Sequence, residues 1–125
     1  MPQKILLIED DPFLSEIYVT KFHEAGFMAV VAEDGVFGLE KVKEVRPDIV
    51  ILDIVMPNMD GFELLRKIKK DEDLKFTPVV ILSNLGEQEN VEKGFGLGAA
   101  DYIIKAHYTP TEVVAKVKEI LKNKK

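Results

Sequence analysis

Two rhythms of apolar residues alternate along this chain. Short unbroken runs at residues 4–8, 28–32, 48–53, 78–82 and 102–104 have the length and β-branched content of strands. Within the run Asp48-Ile49-Val50-Ile51-Leu52-Asp53, four apolar residues in a row predict a strand buried on both faces. Between the runs the spacing changes to that of helices. Residues 12–25 carry Leu14, Ile17, Tyr18 and Phe22 one or two turns apart, with Gly26 closing the helix. After the turn Asp34-Gly35, the residues Val36, Leu39 and Val42 mark the inward face of a second helix that stops before Pro47. Asp60 and Glu63 frame the start of a third helix, with Phe62, Leu65 and Ile68 inward. Residues 87–97 predict a weak fourth helix interrupted by Gly94 and Gly96: either a segment built to rearrange, or a helix that ends early. Thr109-Pro110-Thr111-Glu112 is a capping box with proline at the first helical position. It opens a last helix whose apolar face is Val113, Val114, Val117, Ile120 and Leu121.

Five strands alternating with five helices imply a parallel sheet covered by helices on both faces. In such a sheet the carboxyl ends of the strands share one edge, where open α/β folds place ligands. The polar residues fall there. Strand one ends in Glu9-Asp10-Asp11, strand three in Asp53, strand four in Ser83-Asn84 and strand five in Lys105. Taken alone, Asp53 could merely end a strand; the convergence is what gives it chemistry.

Composition narrows the function class. A chain of 125 residues, 46% hydrophobic and 31% charged, fits one folded domain spanning 1–125. It has no cysteine, so disulfide frameworks and thiolate metal sites are excluded, which fits a cytoplasmic location. No apolar run approaches a membrane span and no signal peptide is evident. A net charge of −5 disfavours direct nucleic-acid binding through a basic face. The basic end Lys122-Asn123-Lys124-Lys125 is too short to act as an arm.

Crowded carboxylates raise one another's pKa unless a cation joins them. An oxygen-ligated divalent ion meets that need, and Mg²⁺ in particular combines one or two carboxylates with waters and phosphate oxygens. Asp11 precedes Pro12 and reads as the N-cap of the first helix, leaving Glu9 and Asp10 for the metal. A lysine (Lys105) and a hydroxyl (Ser83) beside that ion would complete a phosphoryl-binding site, with Asp53 placed to act as nucleophile and form an aspartyl phosphate.

Ile8-Glu9-Asp10-Asp11-Pro12, Asp53 with Met56-Pro57 and Asp60-Gly61, Ser83, and Asp101-Tyr102-Ile103-Ile104-Lys105 together resemble a response-regulator receiver domain. The match runs in order over nearly the whole chain. The resemblance implies a doubly wound, flavodoxin-like α/β/α sandwich of five parallel strands in order 2-1-3-4-5 with five helices. It implies that Asp53 accepts a phosphoryl group from a sensor histidine kinase or phosphotransfer protein, within a two-component system or phosphorelay. Mg²⁺ would be held by Asp10 directly, Glu9 through water, Asp53, and the backbone carbonyl of Val55. Lys105 would bind a phosphoryl oxygen, Ser83 would bond the attached group, and Tyr102 would be the aromatic switch that follows Ser83. Such a domain is not an enzyme beyond its own phosphotransfer, from phosphohistidine or small phosphodonors, and slow autodephosphorylation.

The chain departs from the family pattern in one place. Receivers usually follow the lysine with proline, often across a cis bond, whereas Ala106 stands here. A cis bond before a non-proline residue costs roughly 2.5–4 kcal/mol, which leaves the geometry of the Lys105 loop open. Val55 and Leu85 are apolar where polar residues could guide an attacking water, which predicts a long-lived aspartyl phosphate. The competing enzyme reading is a haloacid-dehalogenase-like, metal-dependent phosphohydrolase, which also uses a strand-end aspartate. It needs a second aspartate two residues further on, where this chain has Val55. A phosphorylation-independent scaffold is disfavoured by the intact Asp10, Asp53, Ser83 and Lys105 set. Output is expected through contact of residues 87–97, 102–104 and 110–122 with a downstream protein.

Overall fold

The structure is a computed structural model that describes residues 2–123. Lys124 and Lys125, the end of the basic tail, lie outside them. The elements follow in the order β1 (Lys4–Ile8), α1 (Pro12–Glu24), β2 (Met28–Ala32), α2 (Gly35–Val45), β3 (Ile49–Leu52), α3 (Gly61–Lys70), β4 (Val79–Ser83), α4 (Gln88–Gly96), β5 (Asp101–Ile104) and α5 (Pro110–Asn123), with a single 3-10 turn at Lys105–His107. All strand pairings are parallel and the sheet order is β2-β1-β3-β4-β5.

The period of two along buried strands builds the two cores. Val50 and Leu52 of β3 face one side with Leu6, Ile8, Val79 and Ile81, under Val42 of α2 and Leu64, Leu65 and Ile68 of α3. Ile49 and Ile51 face the other side with Ile5, Leu7, Val80 and Leu82, under Tyr18 and Phe22 of α1 and Val113, Val117 and Leu121 of α5. Each buried aliphatic or aromatic side chain contributes about 1.5–3 kcal/mol from burial. The expected three-layer α/β/α sandwich results, and its central strands carry Asp53 and Ser83 to one edge.

Helix starts are set by the capping side chains that the sequence marks. The Asp11 carboxylate accepts the N–H groups of Phe13 (2.9 Å) and Leu14 (3.3 Å), fixing α1 as predicted. Asp60 accepts Glu63 N–H at 3.0 Å. The capping box at Thr109 is reciprocal, with Glu112 N–H on Thr109 Oγ1 at 3.1 Å and Thr109 N–H on Glu112 Oε1 at 2.9 Å.

The face of α2 differs from the expected one. Val36 is 46% exposed, and the helix buries Gly35, Gly38 and Val42 instead, with Leu39 at the margin. Gly38 lets α2 settle onto β1, since a Cβ there would lie 2.9 Å from Ile8 Cδ1. Glycine carries no hydrophobic signal, so a stripe built on two glycines cannot be seen from apolar spacing.

The glycines in and after α4 differ in what surrounds them. The helix continues through Gly94, which is buried; a Cβ there would meet Ile81 Cδ1 at 2.7 Å and Tyr102 Cδ2 at 3.0 Å. Gly96 faces open space and ends the helix, and Gly98 follows with φ +105°. Gly94 is therefore a close-packing residue, and Gly96 only lowers helix propensity. Gly94→Ala should cost about 1–2 kcal/mol through overpacking, while Gly96→Ala should add up to about 1 kcal/mol. Urea unfolding of the two variants checks this, and equal shifts in one direction would contradict the assignment.

Candidate phosphoryl and metal site

The C-terminal edge of the sheet holds one crevice lined by Glu9, Asp10, Asp53, Val55, Ser83, Asn84, Leu85 and Lys105, with Asp11 and Leu14 at its rim. Every side chain that the sequence assigned to the chemistry lines it. Tyr102, assigned to the switch, does not line it but reaches the lining residue Leu85 through its hydroxyl. The carboxylates of Glu9, Asp10 and Asp53 offer oxygens within 4.8 Å of one another, a grouping that could hold a metal ion. An all-oxygen donor set of this kind suits a hard divalent cation.

Lys105 is the organising cation. Its Nζ lies 2.6 Å from Glu9 Oε1 and 2.7 Å from Asp53 Oδ2, and all three side chains are at most 11% exposed. The sequence reading assigned Glu9 to metal and Lys105 to phosphoryl oxygen; here the ammonium bridges Glu9 and Asp53 and offsets their repulsion. Burial raises the Glu9 carboxyl above its usual 4.5, although the Lys105 hydrogen bond pulls the other way. For Lys105, burial alone would lower the ammonium, but its bonds to Asp53 and Glu9 outweigh that and hold it above its ordinary value. Glu9 Oε2 also accepts Asp11 N–H at 3.1 Å, so it is anchored from both ends. Asp10 is exposed and faces the mouth.

Asp53 leaves β3 with Oδ1 accepting Val55 N–H at 3.1 Å. The following loop folds back so tightly that a Cβ on Gly61 would collide with the Asp53 carbonyl oxygen, and Gly61 N–H closes it on Ile54 O at 2.8 Å. The Asp60-Gly61 pair thus sets both the cap of α3 and the path of the Val55 backbone. Sequence reasoning missed the clasp on the loop's other side. Asn58, at φ 71°, donates Nδ2–H to Asp34 Oδ2 at 2.9 Å, while Asp34 Oδ1 accepts Phe37 N–H. That N–H holds the Asp34 carboxyl below its usual range. Asp34 and Asn58 are common turn residues, so spacing alone could not pair them across 24 positions.

Ser83 ends β4 fully buried, its Oγ accepting Leu85 N–H at 3.3 Å. The Tyr102 hydroxyl donates to the Leu85 carbonyl, and burial raises its phenol above the ordinary value. Tyr102 and Ser83 therefore both hold Leu85, in the loop between β4 and α4. All described peptide bonds are trans, including Lys105–Ala106. Alanine leaves an N–H at that position, and it donates to Asn84 Oδ1 at 2.9 Å.

A crevice of paired carboxylates, a buried lysine and a hydroxyl at the strand ends of a 2-1-3-4-5 sheet defines a receiver. The family model for the response regulator receiver domain matches residues 5–118, and the chain belongs to that family. It is similar to the DNA-binding response regulator MtrA of Mycobacterium tuberculosis, 36% identical over 98% of this chain and 52% of that protein. Among solved structures it resembles the Francisella response regulator 1452 receiver domain at 33% identity and TM-score 0.90, covering 98% of this chain and 99% of that one. It also resembles a response regulator receiver domain protein from Methanospirillum hungatei at 25% identity and TM-score 0.91, covering 99% and 97%. The chain spans about half the length of the curated relatives it matches, 46% of one and 52% of others. It is thus a receiver domain homologous to those of two-component systems, a class that is generally not an enzyme. The haloacid-dehalogenase reading is not supported. Among the described residues no helix is long and apolar enough to cross a membrane.

Proposed function

We propose that this chain is a phosphorylation-controlled receiver in which Asp53 accepts a phosphoryl group from a sensor histidine kinase or phosphotransfer protein. The observation that carries this is the contact of Lys105 Nζ with both Asp53 (2.7 Å) and Glu9 (2.6 Å) inside a crevice shared with Asp10 and Ser83. An Asp53 carboxylate oxygen attacks phosphorus, and the bond from phosphorus to the donor nitrogen breaks with its electron pair leaving on the imidazole. Asp10, Asp53, Glu9 through water and the Val55 carbonyl would hold Mg²⁺, which supplies positive charge to the phosphoryl oxygens when bound. Lys105 follows those oxygens, and the Ser83 hydroxyl bonds the attached group.

Val55, 60% exposed, and Leu85 line the crevice without a group to orient water, which favours a slow autodephosphorylation. The reading extends to residues 1–125 as one domain, acting in the cytoplasm and contacting protein rather than nucleic acid. Ser83 and Tyr102 both hold the loop that leads into α4, so output is assigned to residues 87–97, 102–104 and 110–122, facing a downstream protein. Acetyl phosphate with Mg²⁺, followed by mass spectrometry, tests the proposal: one phosphoryl adduct located on Asp53 is expected, and no adduct would end it. Millimolar Mg²⁺ should raise the melting temperature, because an ion that binds only the folded state stabilises it by mass action. No shift, with labelling undiminished in EDTA, would remove Mg²⁺ from the site.

A further inference from the structure

The peptide unit between Lys105 and Ala106 is held at both of its polar ends. Its carbonyl, on Lys105, accepts Tyr108 N–H at 3.3 Å, and its N–H, on Ala106, donates to Asn84 Oδ1 at 2.9 Å. Lys105–His107 is a single 3-10 turn, and such a turn leaves its first N–H groups without partners of its own. Ile104, the residue before it, has no side-chain acceptor to offer. The acceptor arrives instead from the loop after β4, where Asn84 directly follows Ser83 and lines the same crevice as Lys105. A peptide plane fixed at both ends fixes the direction in which the Lys105 side chain leaves the backbone. Its four-carbon stem magnifies any rotation of that plane, and its Nζ has to meet two oxygens, at 2.6 and 2.7 Å.

We propose that Asn84 is a positioning residue for Lys105, acting through the Ala106 N–H, with the consequence that movement of the Ser83–Asn84 loop is passed to the lysine. The kinetic part rests on the reading of Asp53 as phosphoacceptor. Asn84 itself is exposed, so the bond is of ordinary strength and the effect moderate.

The test uses the full chain and the variants Asn84→Ala and Asn84→Asp, the latter keeping the acceptor oxygen. In the unphosphorylated protein, Asn84→Ala should speed hydrogen exchange at the Ala106 amide by about three- to tenfold, and Asn84→Asp should not. The Lys105 Cε signal in carbon NMR should move in Asn84→Ala, while that of Lys69, whose Nζ is bonded to Lys75 O and Thr77 O, stays in place. With acetyl phosphate and Mg²⁺, at a temperature where both proteins are fully folded, Asn84→Ala should label Asp53 about three- to tenfold more slowly than wild type. Unchanged Ala106 exchange, an unmoved Lys105 signal, or wild-type labelling by Asn84→Ala would each overturn the proposal. Wild-type protein that takes no label would overturn the phosphoacceptor reading as well, whereas a labelled wild type with an unaffected Asn84→Ala variant would overturn the positioning role alone.

Discussion

Asp53→Asn should reduce phosphoryl labelling to background while leaving the fold intact. In the proposed reaction the carboxylate supplies the attacking oxygen, and an amide is far too poor a nucleophile to replace it. The folded state should tolerate the change. The oxygen of the substituted carboxamide can still accept Val55 N–H, and Lys105 keeps its 2.6 Å partner Glu9. Two effects oppose each other: one ionic partner of Lys105 is lost, and one carboxylate leaves a cluster of three. Stability should therefore stay within about 1 kcal/mol of wild type. The measurement is mass spectrometry after acetyl phosphate and Mg²⁺, paired with a urea melt. Full labelling of the variant, on Asp10 for example, would displace Asp53 from the role assigned to it.

Removing the lysine should have the largest effect on stability. In Lys105→Met the buried carboxylates of Glu9 and Asp53 lose their shared counter-ion, and without metal the variant should be about 1–3 kcal/mol less stable near pH 7. The pH dependence separates this from lost packing. Glu9 already titrates above 4.5 in the folded protein, and removing the ammonium raises it further. The native state then holds a proton that the unfolded chain has released, so stability falls as pH rises through that raised value. Lowered pH should therefore restore Lys105→Met, and the deficit should be smaller at about pH 5 than at about pH 8. In wild type the Lys105 ammonium, raised above 10.5, stays charged throughout this range and contributes no slope. Millimolar Mg²⁺ should also narrow the gap by supplying the missing cation. A deficit that ignores both pH and Mg²⁺ would mean that Lys105 stabilises only through the packing of its stem. Phosphotransfer should fall as well, since the phosphoryl oxygens lose a fixed cation.

The two effects have a common origin. The site is built at the ends of strands whose buried runs leave no freedom in register, so Asp53 and Ser83 are delivered to one edge without adjustable parts. What adjusts is the set of loops: Asp53 to Gly61, Ser83 to Gly86, and the turn after Lys105. Each is tied by hydrogen bonds to a neighbour in space rather than in sequence, as in Asp34 to Asn58, Asn84 to Ala106 and Tyr102 to Leu85. A charge added at Asp53 acts on groups that are already cross-connected.

The chain's own pattern determined the elements, their order and the edge at which the chemistry lies. Runs such as Ile49-Val50-Ile51-Leu52 can be satisfied only by burial on both faces, which demands a parallel sheet between helices. Parallel strands put Glu9, Asp53, Ser83 and Lys105 on one edge whatever the details. Caps at Asp11, Asp60 and Thr109 were equally legible, because a capping side chain acts on N–H groups two or three residues away. Tertiary structure decided what depends on approach between distant segments. It turned α2 onto Gly35 and Gly38 rather than Val36, since the room left by an absent side chain matters only once β1 is beside it. It made Gly94 a packing residue under Tyr102 and left Gly96 bare, a distinction that two identical residues cannot carry in sequence. It placed Lys105 between Glu9 and Asp53 and kept the Lys105–Ala106 bond trans, with its N–H on Asn84. Local patterns encode which groups each residue needs; only the folded chain settles which distant partner meets each need.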